Sequence, residues 1–334
     1  MTESEIWDWL TFFEENFLNQ LKGRSIRSTN YPIVIEDKGS LLRGWHCCTN
    51  RKQQAQEATD TTQIDCLIKS IDLQNDDDVN WENVNLVGGF TRSSSEAIRK
   101  EEILQLWRCI REAYCAQPLR RFMHGFLMFK EEFELWVFDH SGAYSSGRMG
   151  IIESKEIFVR TLCSYLLMSD EELGRDISVL QRDGQSTASF TGSNDTSDQL
   201  VEIKPNPILQ PRSLINRVTA CYETKNKSSM VQSLWSKSEN NAEVQFMKAA
   251  LPIPGYVKYI TSQSVYQTNI HLESFNLSCA KPQDFKAEHN SKSRGYNYHE
   301  LTLPSWKKIC FLSRTVMTKC GRKIDSSGSI LAFL

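Results

Sequence analysis

The spacing of apolar residues predicts four helices along the chain. Apolar positions three and four apart recur in residues 5–22, at about 96–115 and over Ile157–Met168, and a shorter run lies around 240–250. This spacing places the apolar side chains on one helical face. Gly23 follows the first run as a helix end signal, and the serines at 93–95 precede the second as candidate N-caps. All four segments therefore read as helices that pack by one face.

Alternating apolar and polar residues predict strands between these helices. Before the second helix the runs are 63–73 and 81–90, and after it RRFMHGFLMFKEEFELWVFDHSG reads as a hairpin. Further on, VTACYET, SSMVQSLW, residues near 256–267 and RTVMTKCGRKI have strand character. Ser169 and Glu172 stand at capping-box spacing in an acidic turn. The pattern is that of an α/β (α+β) protein with mixed sheets.

A change of composition divides the chain. Residues 181–214 are rich in Ser, Thr, Gly and Asp, and KPNPILQP adds three prolines. Such a stretch is typical of a boundary between domains. We therefore predict a mixed α/β domain over 1–180, a flexible linker over 181–214, and a second domain of antiparallel strands with one helix over 215–334.

Composition narrows the class of protein. The net charge of −2 over 334 residues gives no overall basic field, which argues against nucleic acid as a partner. The ten cysteines include no C-x-x-C pair, which argues against a zinc site. The N-terminus lacks the apolar core of a signal peptide, and no apolar run approaches the ~18 residues of a membrane span. We predict an intracellular protein, cytoplasmic or nuclear, that does not enter a membrane.

Three segments in a fixed order carry a family resemblance. AQPLRRFMHGFLMF, LWVFDHSGAY and FVRTLCSYLLMSDEELGRD, within residues 116–176, resemble the fungal-type protein kinase family, whose usual Arg is replaced here by His140. The resemblance is strong over about 60–260 and thinner towards 334. SRTVMTKCGRKI resembles the family's passage from the small kinase lobe towards the hinge. The motif residues that carry the resemblance are Arg121, Phe138, Asp139, Ser141 and Gly142.

The resemblance implies a kinase-like small lobe in the second domain. In kinases a lysine on the third strand of that lobe neutralises nucleotide phosphates and pairs with a glutamate on helix αC. Aligned with the family, MVQSLW places Gln232 at the lysine and Trp235 at the family's tryptophan, and Glu243 at the αC acid. A neutral amide supplies no charge against a triphosphate. The alternatives are a shifted register with Lys237 as the cation, or a strand glutamine beside a solvated helix acid.

The motifs of the large kinase lobe are missing from the sequence. It contains no His-Arg-Asp and no Asp-Phe-Gly, and the segment NRVTACYET has no glycine to cradle phosphate. The chain stops at SILAFL, where the resemblance implies that the first long helix of the large lobe would begin. We therefore expect a protein truncated before the catalytic lobe, with no resident cofactor. ATP and Mg²⁺ apply only if the chain is part of an active kinase.

The first domain resembles a nuclease in arrangement but not in chemistry. An Asp on one strand, then a strand ending in Glu-x-Lys and a helix, is the arrangement of restriction-endonuclease-like folds, in which two carboxylates hold a metal. Here Asp65 fills the first role, while Gly89 and Thr91 stand where Glu and Lys would be. One carboxylate does not make a hard-metal site. We interpret Asp65 as a strand-start or surface acid and Asp139 as the acid of an Asx-type turn.

The leading hypothesis is a degenerate, truncated member of the fungal-type protein kinase family that acts without catalysis, as a pseudokinase or interaction module for an unknown protein partner. One alternative is a fragment of an active ATP-dependent Ser/Thr protein kinase whose large lobe is missing. A second alternative is a residual nucleic-acid-binding module in the first domain.

Overall fold

The computed structural model describes the chain in segments that form two compact units. The first unit comprises residues 1–177, 213–215 and 269–308, and the second comprises 178–212, 216–268 and 309–334. The described residues are 80–91, 95–182, 185–191, 198–210, 218–237, 242–250, 259–268 and 310–318, with short pieces at 8–9, 12–13, 15–16, 26–27, 32–33, 43–47 and 66–70.

The first unit contains a six-stranded mixed sheet and two helices. In chain order its elements are β1 Ile26–Arg27 and β2 Pro32–Ile33, which pair separately, then β3 Arg43–Cys47, β4 Cys66–Ser70, β5 Val84–Thr91, α1 Glu96–Ala116, β6 Phe122–Phe129, β7 Glu132–Asp139, β8 Gly142–Gly150 and α2 Lys155–Leu167.

The strands of the mixed sheet have the order β3-β4-β5-β6-β7-β8. Within it only β5 and β6 are parallel, and helix α1 lies between them in sequence. Strands β6, β7 and β8 form an antiparallel meander, which confirms the predicted hairpin as β6 and β7.

The alternation of side chains along the strands produces two apolar layers, one on each face of this sheet. Even-numbered residues of β7, such as Trp136 and Phe138, pack with the buried stripe of α1. Odd-numbered Phe133, with Phe126 of β6, packs with α2 through Phe158 instead. The sheet is therefore covered on both faces by helices, which explains why its central strands are almost wholly apolar.

Local signals at the helix ends agree with the structure. Ser95 is the N-cap of α1, and its hydroxyl accepts a hydrogen bond from the amide of Ile98 at 3.4 Å. Ser169 and Glu172 form the predicted reciprocal capping contacts. The strand predicted from residue 81 begins only at Val84, because Trp81–Asn83 form a 3₁₀ turn capped by the Asn80 side chain.

Only part of the first predicted helix falls within the described residues. Residues 8–9 and 12–13 are α-helical and 15–16 are π-helical. Trp9 stacks on Phe13 at 5.3 Å and on Phe158 of α2 at 5.9 Å between ring centroids. Trp9 and Phe13 thus pack against the apolar layer under α2.

Three strands lie wholly or partly in the segment in which composition predicts a linker. In the second unit, β9 Val179–Arg182, β10 Gln185–Thr191 and β11 Asp198–Ile203 form an antiparallel sheet with β10 in the centre. Ser186, Ala188 and Phe190 are buried, whereas the residues between them are partly exposed. Buried and partly exposed residues therefore alternate as in an ordinary strand. Two of the three buried residues are small, so the alternation is not visible as an apolar pattern in the sequence. This finding corrects the expected linker.

The second unit also contains a four-stranded antiparallel sheet with one helix. In chain order the elements are β12 Val218–Glu223, β13 Ser229–Ser236, α3 Ala242–Ala249, β14 Tyr259–Gln267 and β15 Phe311–Thr318. The sheet order is β12-β13-β15-β14, so β15 lies between β13 and β14. The protein is therefore a mixed α+β protein with three described α-helices and several sheets.

Among the helices that the structure describes, none has the length and apolar character needed to span a bilayer.

Candidate functional site

Gln232 and Glu243 are neighbours in the structure. Gln232 lies in the middle of β13, directly opposite Cys221 of β12 and Thr315 of β15. Its side chain reaches α3, where the amide Nε2 donates to Oε1 of Glu243 over 3.5 Å, a long hydrogen bond. Glu243 occupies the first turn of α3 and is partly exposed, whereas Gln232 is only 6% exposed. The two residues singled out from the sequence thus lie side by side.

The other polar atom of the same amide is unsatisfied. Oε1 of Gln232 is buried and accepts no hydrogen bond from any residue that the structure describes. A buried acceptor without a donor costs about 1–3 kcal/mol. The amide of Gln232 is therefore satisfied on its nitrogen and unsatisfied on its oxygen.

Trp235 lies on the opposite face of the same sheet. Its ring packs with Val218, Leu312 and Cys310 in a buried cluster, and it meets Tyr266 edge to face at 5.7 Å. Because side chains alternate along a strand, residues 232 and 235 cannot share a face. Trp235 is a core residue of the second unit. Lys237, the other candidate cation, follows the end of β13 and is exposed.

A second cluster lies around Arg120 of the AQPLRRF segment. This side chain is 1% exposed and donates to the carbonyl oxygens of Leu173 at 2.5 Å and Val84 at 3.2 Å. Gln117 accepts from Nε of Arg120 at 2.7 Å, and its amide donates to the carbonyls of Trp81 and Val84. The guanidinium thus satisfies backbone carbonyls of separate segments, which is a structural role.

The neighbouring Arg121 holds the acidic turn against the sheet. It forms a buried ion pair with Asp176 at 2.9 Å, and its backbone amide donates to the carbonyl of Gly174 at 2.7 Å. Gly174 has φ +91°, and a Cβ there would lie 1.9 Å from the carbonyl oxygen of Phe122. Only glycine fits this close approach. The Arg-Arg and Leu-Gly elements of the family motif therefore meet as one structural assembly.

Asp139 forms the Asx-type turn predicted from FDHSG. Its Oδ1 accepts from the backbone amides of Ser141 at 2.7 Å and Gly142 at 2.9 Å, and also from the Ser141 hydroxyl. That hydroxyl lies 2.7 Å from the phenol oxygen of Tyr144. Burial raises the pKa of Asp139 to about 6, although these hydrogen bonds oppose the rise. Phe138, just before it, is fully buried in the layer under α1.

His124 of β6 is a second buried titratable group in this unit. Its Nε2 lies 3.1 Å from the carbonyl oxygen of Glu172, so the neutral ring donates from that nitrogen. Burial lowers the pKa of His124 to about 4, and the hydrogen bond to Glu172 only partly opposes the fall.

These two groups predict opposite pH dependences of stability. Because the pKa of Asp139 is raised in the folded protein, the folded state binds a proton there at a higher pH than the unfolded state does. The contribution of Asp139 to the free energy of unfolding therefore increases as pH falls from about 6 towards 3.8. Because the pKa of His124 is lowered in the folded protein, its contribution to the free energy of unfolding is lost as pH falls from 6.5 to about 4. Asp139→Asn should therefore steepen acid destabilisation, and His124→Gln should reduce it, each by about 2 kcal/mol between about pH 7 and pH 4.5.

Urea unfolding of each variant at the two pH values measures these slopes. Both replacements keep the hydrogen bonds, since an Asn oxygen still accepts in the turn and a Gln amide still donates to Glu172. The same change in free energy of unfolding between the two pH values in both variants and in the unmodified protein would contradict the pKa shifts of Asp139 and His124.

The nuclease-like positions do not assemble a described metal site. Gly89 and Thr91 lie on β5, paired in parallel register with Leu127 and Phe129 of β6. Gly89 has no side chain, and Thr91 offers a hydroxyl. Asp65 lies outside the described residues. Within the described segments no group of three His, Cys, Asp or Glu side chains is placed to hold a metal ion.

The sequence reasoning missed a buried ion pair. Arg99 of α1 donates to both carboxylate oxygens of Glu134 on β7, at 2.9 and 2.7 Å, and Glu134 is 0% exposed. Ser145 donates to the same carboxylate. The sequence does place each of the two residues on a buried face. Glu134 alternates in step with Trp136 and Phe138 along β7, and Arg99 precedes Ile103 by one turn on the apolar face of α1.

Comparison with known proteins gives one match. The family model described as fungal protein kinase matches residues 63–334, which is most of the chain. No curated protein and no solved structure matches this chain. The matched range includes the AQPLRRF and FDHSG segments as well as Gln232 and Glu243. The chain therefore belongs to the fungal protein kinase family.

Proposed function

We propose that this family member is a pseudokinase, which acts through binding to a protein partner and does not transfer phosphoryl groups. In this proposal the sheet β12–β15 with α3 corresponds to a kinase small lobe, and the first unit is a degenerate nuclease-like domain. The order of elements supports this correspondence, because α3 follows β13 in sequence and presents its first-turn acid to the middle of that strand.

The contact between Gln232 and Glu243 is the observation that carries the proposal. In an active kinase a lysine pairs with the αC glutamate and places a positive charge at the nucleotide phosphates. Here the group facing Glu243 is a neutral amide that is 6% exposed. An amide in place of the lysine supplies no positive charge to the phosphates.

One feature of the first unit supports its part of the proposal. Gly89 and Thr91 supply neither the carboxylate nor the amine of a nuclease site.

Phosphoryl transfer from radiolabelled ATP tests the proposal. We expect the purified chain, with Mg²⁺ or Mn²⁺ and generic protein substrates, to transfer no more label than its Glu243→Ala variant. Autophosphorylation or substrate labelling that disappears in Glu243→Ala would overturn the proposal, because that residue has a catalytic role only in an active kinase. Glu202→Ala, at an exposed acid of the second unit that pairs with Lys225, is the matched control.

A further inference from the structure

Two cysteines lie directly opposite each other at the edge of the six-stranded sheet. β3 is the outer strand of that sheet, and its antiparallel register with β4 places Cys47 across from Cys66. The neighbouring pairs along β3 and β4 continue the same register, so the opposition belongs to a whole ladder. No C-x-x-C spacing links the two cysteines in the sequence, so the register of the strands is what reveals the pair.

The backbone spacing of opposed residues suits a disulfide bond. In an antiparallel ladder the Cα atoms of a directly opposed pair are about 4.5 Å or about 5.5 Å apart, depending on whether the pair is hydrogen-bonded. Disulfide bonds join cysteines whose Cα atoms are about 4.4–6.8 Å apart. Both kinds of opposed pair fall inside this range, so a bond between Cys47 and Cys66 needs no change in the register of the strands.

The row of residues that crosses the sheet at this point gives Cys66 a single opposed side chain. Directly opposed residues share a face, so Cys47, Cys66, Gly88 and Phe126 lie on the same face of the sheet. Gly88 lies opposite Cys66 on β5, and a Cβ there would be 2.3 Å from the ring of Phe126. Of the two residues opposite Cys66, Cys47 is therefore the one that carries a side chain.

We propose that Cys47 and Cys66 form a redox switch, a dithiol that a peroxide oxidises to a disulfide and that a small thiol such as glutathione reduces again. One cysteine, as its thiolate, attacks a peroxide oxygen to give a sulfenic acid and water. The other thiol then attacks the sulfenic sulfur, which forms the S–S bond and releases a second water. The two thiols thus supply the two electrons that reduce the peroxide.

The disulfide would fasten the outer strand β3 to its neighbour β4. β3 pairs with β4 on one side, and the bond would add a covalent link at the end of that ladder. An outer strand is held by fewer partners than a central one, so a covalent link changes its local stability most. The inference goes beyond the proposed function and does not depend on it.

Five other cysteines within the described segments are less suited to oxidation. Cys109, Cys221 and Cys310 are buried, and Cys115 and Cys163 are partly exposed. Burial raises the pKa of the Cys115 thiol and that of the Cys163 thiol, so less of the reactive thiolate is present at neutral pH. Oxidation of these five thiols is therefore expected to be slow.

Peptide mapping of the full chain under non-reducing conditions tests the switch. The reduced protein is treated with a small excess of hydrogen peroxide, blocked with N-ethylmaleimide and digested with trypsin. We expect a disulfide-linked pair of peptides, residues 44–51 and 53–69, which dithiothreitol separates. Absence of this linked pair after peroxide treatment would refute the proposal.

Cys48 provides a matched control, because it adjoins Cys47 and lies in the same tryptic peptide. Cys47→Ser should lower the yield of the linked pair at least about tenfold, because the register with β4 selects residue 47. Cys48→Ser should leave the yield unchanged. In concentrated urea, where the strands no longer pair, the two variants should give equal yields. A link that survives in Cys47→Ser and is lost in Cys48→Ser would contradict the assignment.

Hydrogen exchange followed by mass spectrometry shows whether the bond fastens the outer strand. Backbone amides of residues 43–47 and 66–70 should exchange at least about tenfold more slowly in the oxidised protein than in the reduced protein. Amides of the β6–β7 hairpin should exchange equally in both states. Cys66→Ser treated with peroxide is the control and should show no slowing. Equal exchange in the two redox states of the unmodified protein would refute the fastening of β3 to β4.

Discussion

Replacing Arg99 with methionine is expected to lower the free energy of unfolding of the first unit by about 3–5 kcal/mol. The substitution removes the guanidinium that donates to both oxygens of Glu134, a residue with 0% exposure. Ser145 alone would then face a buried carboxylate. Urea unfolding followed by tryptophan fluorescence measures the loss, since Trp136 lies two residues along the same strand.

Two comparisons make this prediction specific. The double variant Arg99→Met with Glu134→Met should recover most of the loss, because an apolar pair needs no charge compensation in a buried site. Arg111→Met, at the less buried contact with Glu112 on the same helix, should cost less than about 1 kcal/mol. A loss below about 1 kcal/mol for Arg99→Met would mean that the ion pair does not stabilise the contact between α1 and β7.

Replacing Gln232 with lysine is expected to raise affinity for Mg·ATP by at least about tenfold. The new ammonium would lie beside the Glu243 carboxylate, which the present amide contacts at 3.5 Å. An ammonium and a phosphate charge about 4 Å apart near a protein surface attract each other by about 4 kcal/mol before desolvation. This energy is ample for a tenfold change in the dissociation constant of Mg·ATP.

The gain should depend on Glu243 as an orienting partner. Adding Glu243→Gln to Gln232→Lys should remove part of the gain, whereas adding Glu202→Gln should not. The absence of glycine from NRVTACYET limits the affinity that the lysine alone recovers, since no close backbone cradle for phosphate is expected there. Equal affinity of Gln232→Lys and the unmodified protein would show that residue 232 does not face the phosphates.

Much of the local structure could be predicted because its causes are local. Ser95 caps α1, and Asp139 closes its turn, through contacts with residues two or three positions away. The β6–β7 hairpin has a strong period of two on both sides of a polar turn. The choice of Gln232 and Glu243 came from the family resemblance, and the structure then places the two side chains in contact.

Features that depend on distant partners escaped the sequence reasoning. Arg120 binds the carbonyl of Leu173, 53 positions further along, and backbone carbonyls have no signature in the sequence. The strands of 179–203 use Ser186 and Ala188 as inward residues, so their period does not appear as an apolar pattern. Arg99 and Glu134 are charged residues at inward positions. The polarity pattern shows each of them as an exception to an apolar face, but it does not show that the two side chains pair.

Calorimetric titration of the unmodified chain with ATP, with and without Mg²⁺, tests the central claim most directly. The claim is that a neutral amide has replaced the nucleotide-binding lysine. We predict no saturable binding below about 1 mM in either condition, and the same result for Gln232→Met. Mg²⁺-dependent binding of ATP in the low micromolar range, unchanged in Gln232→Met, would contradict it.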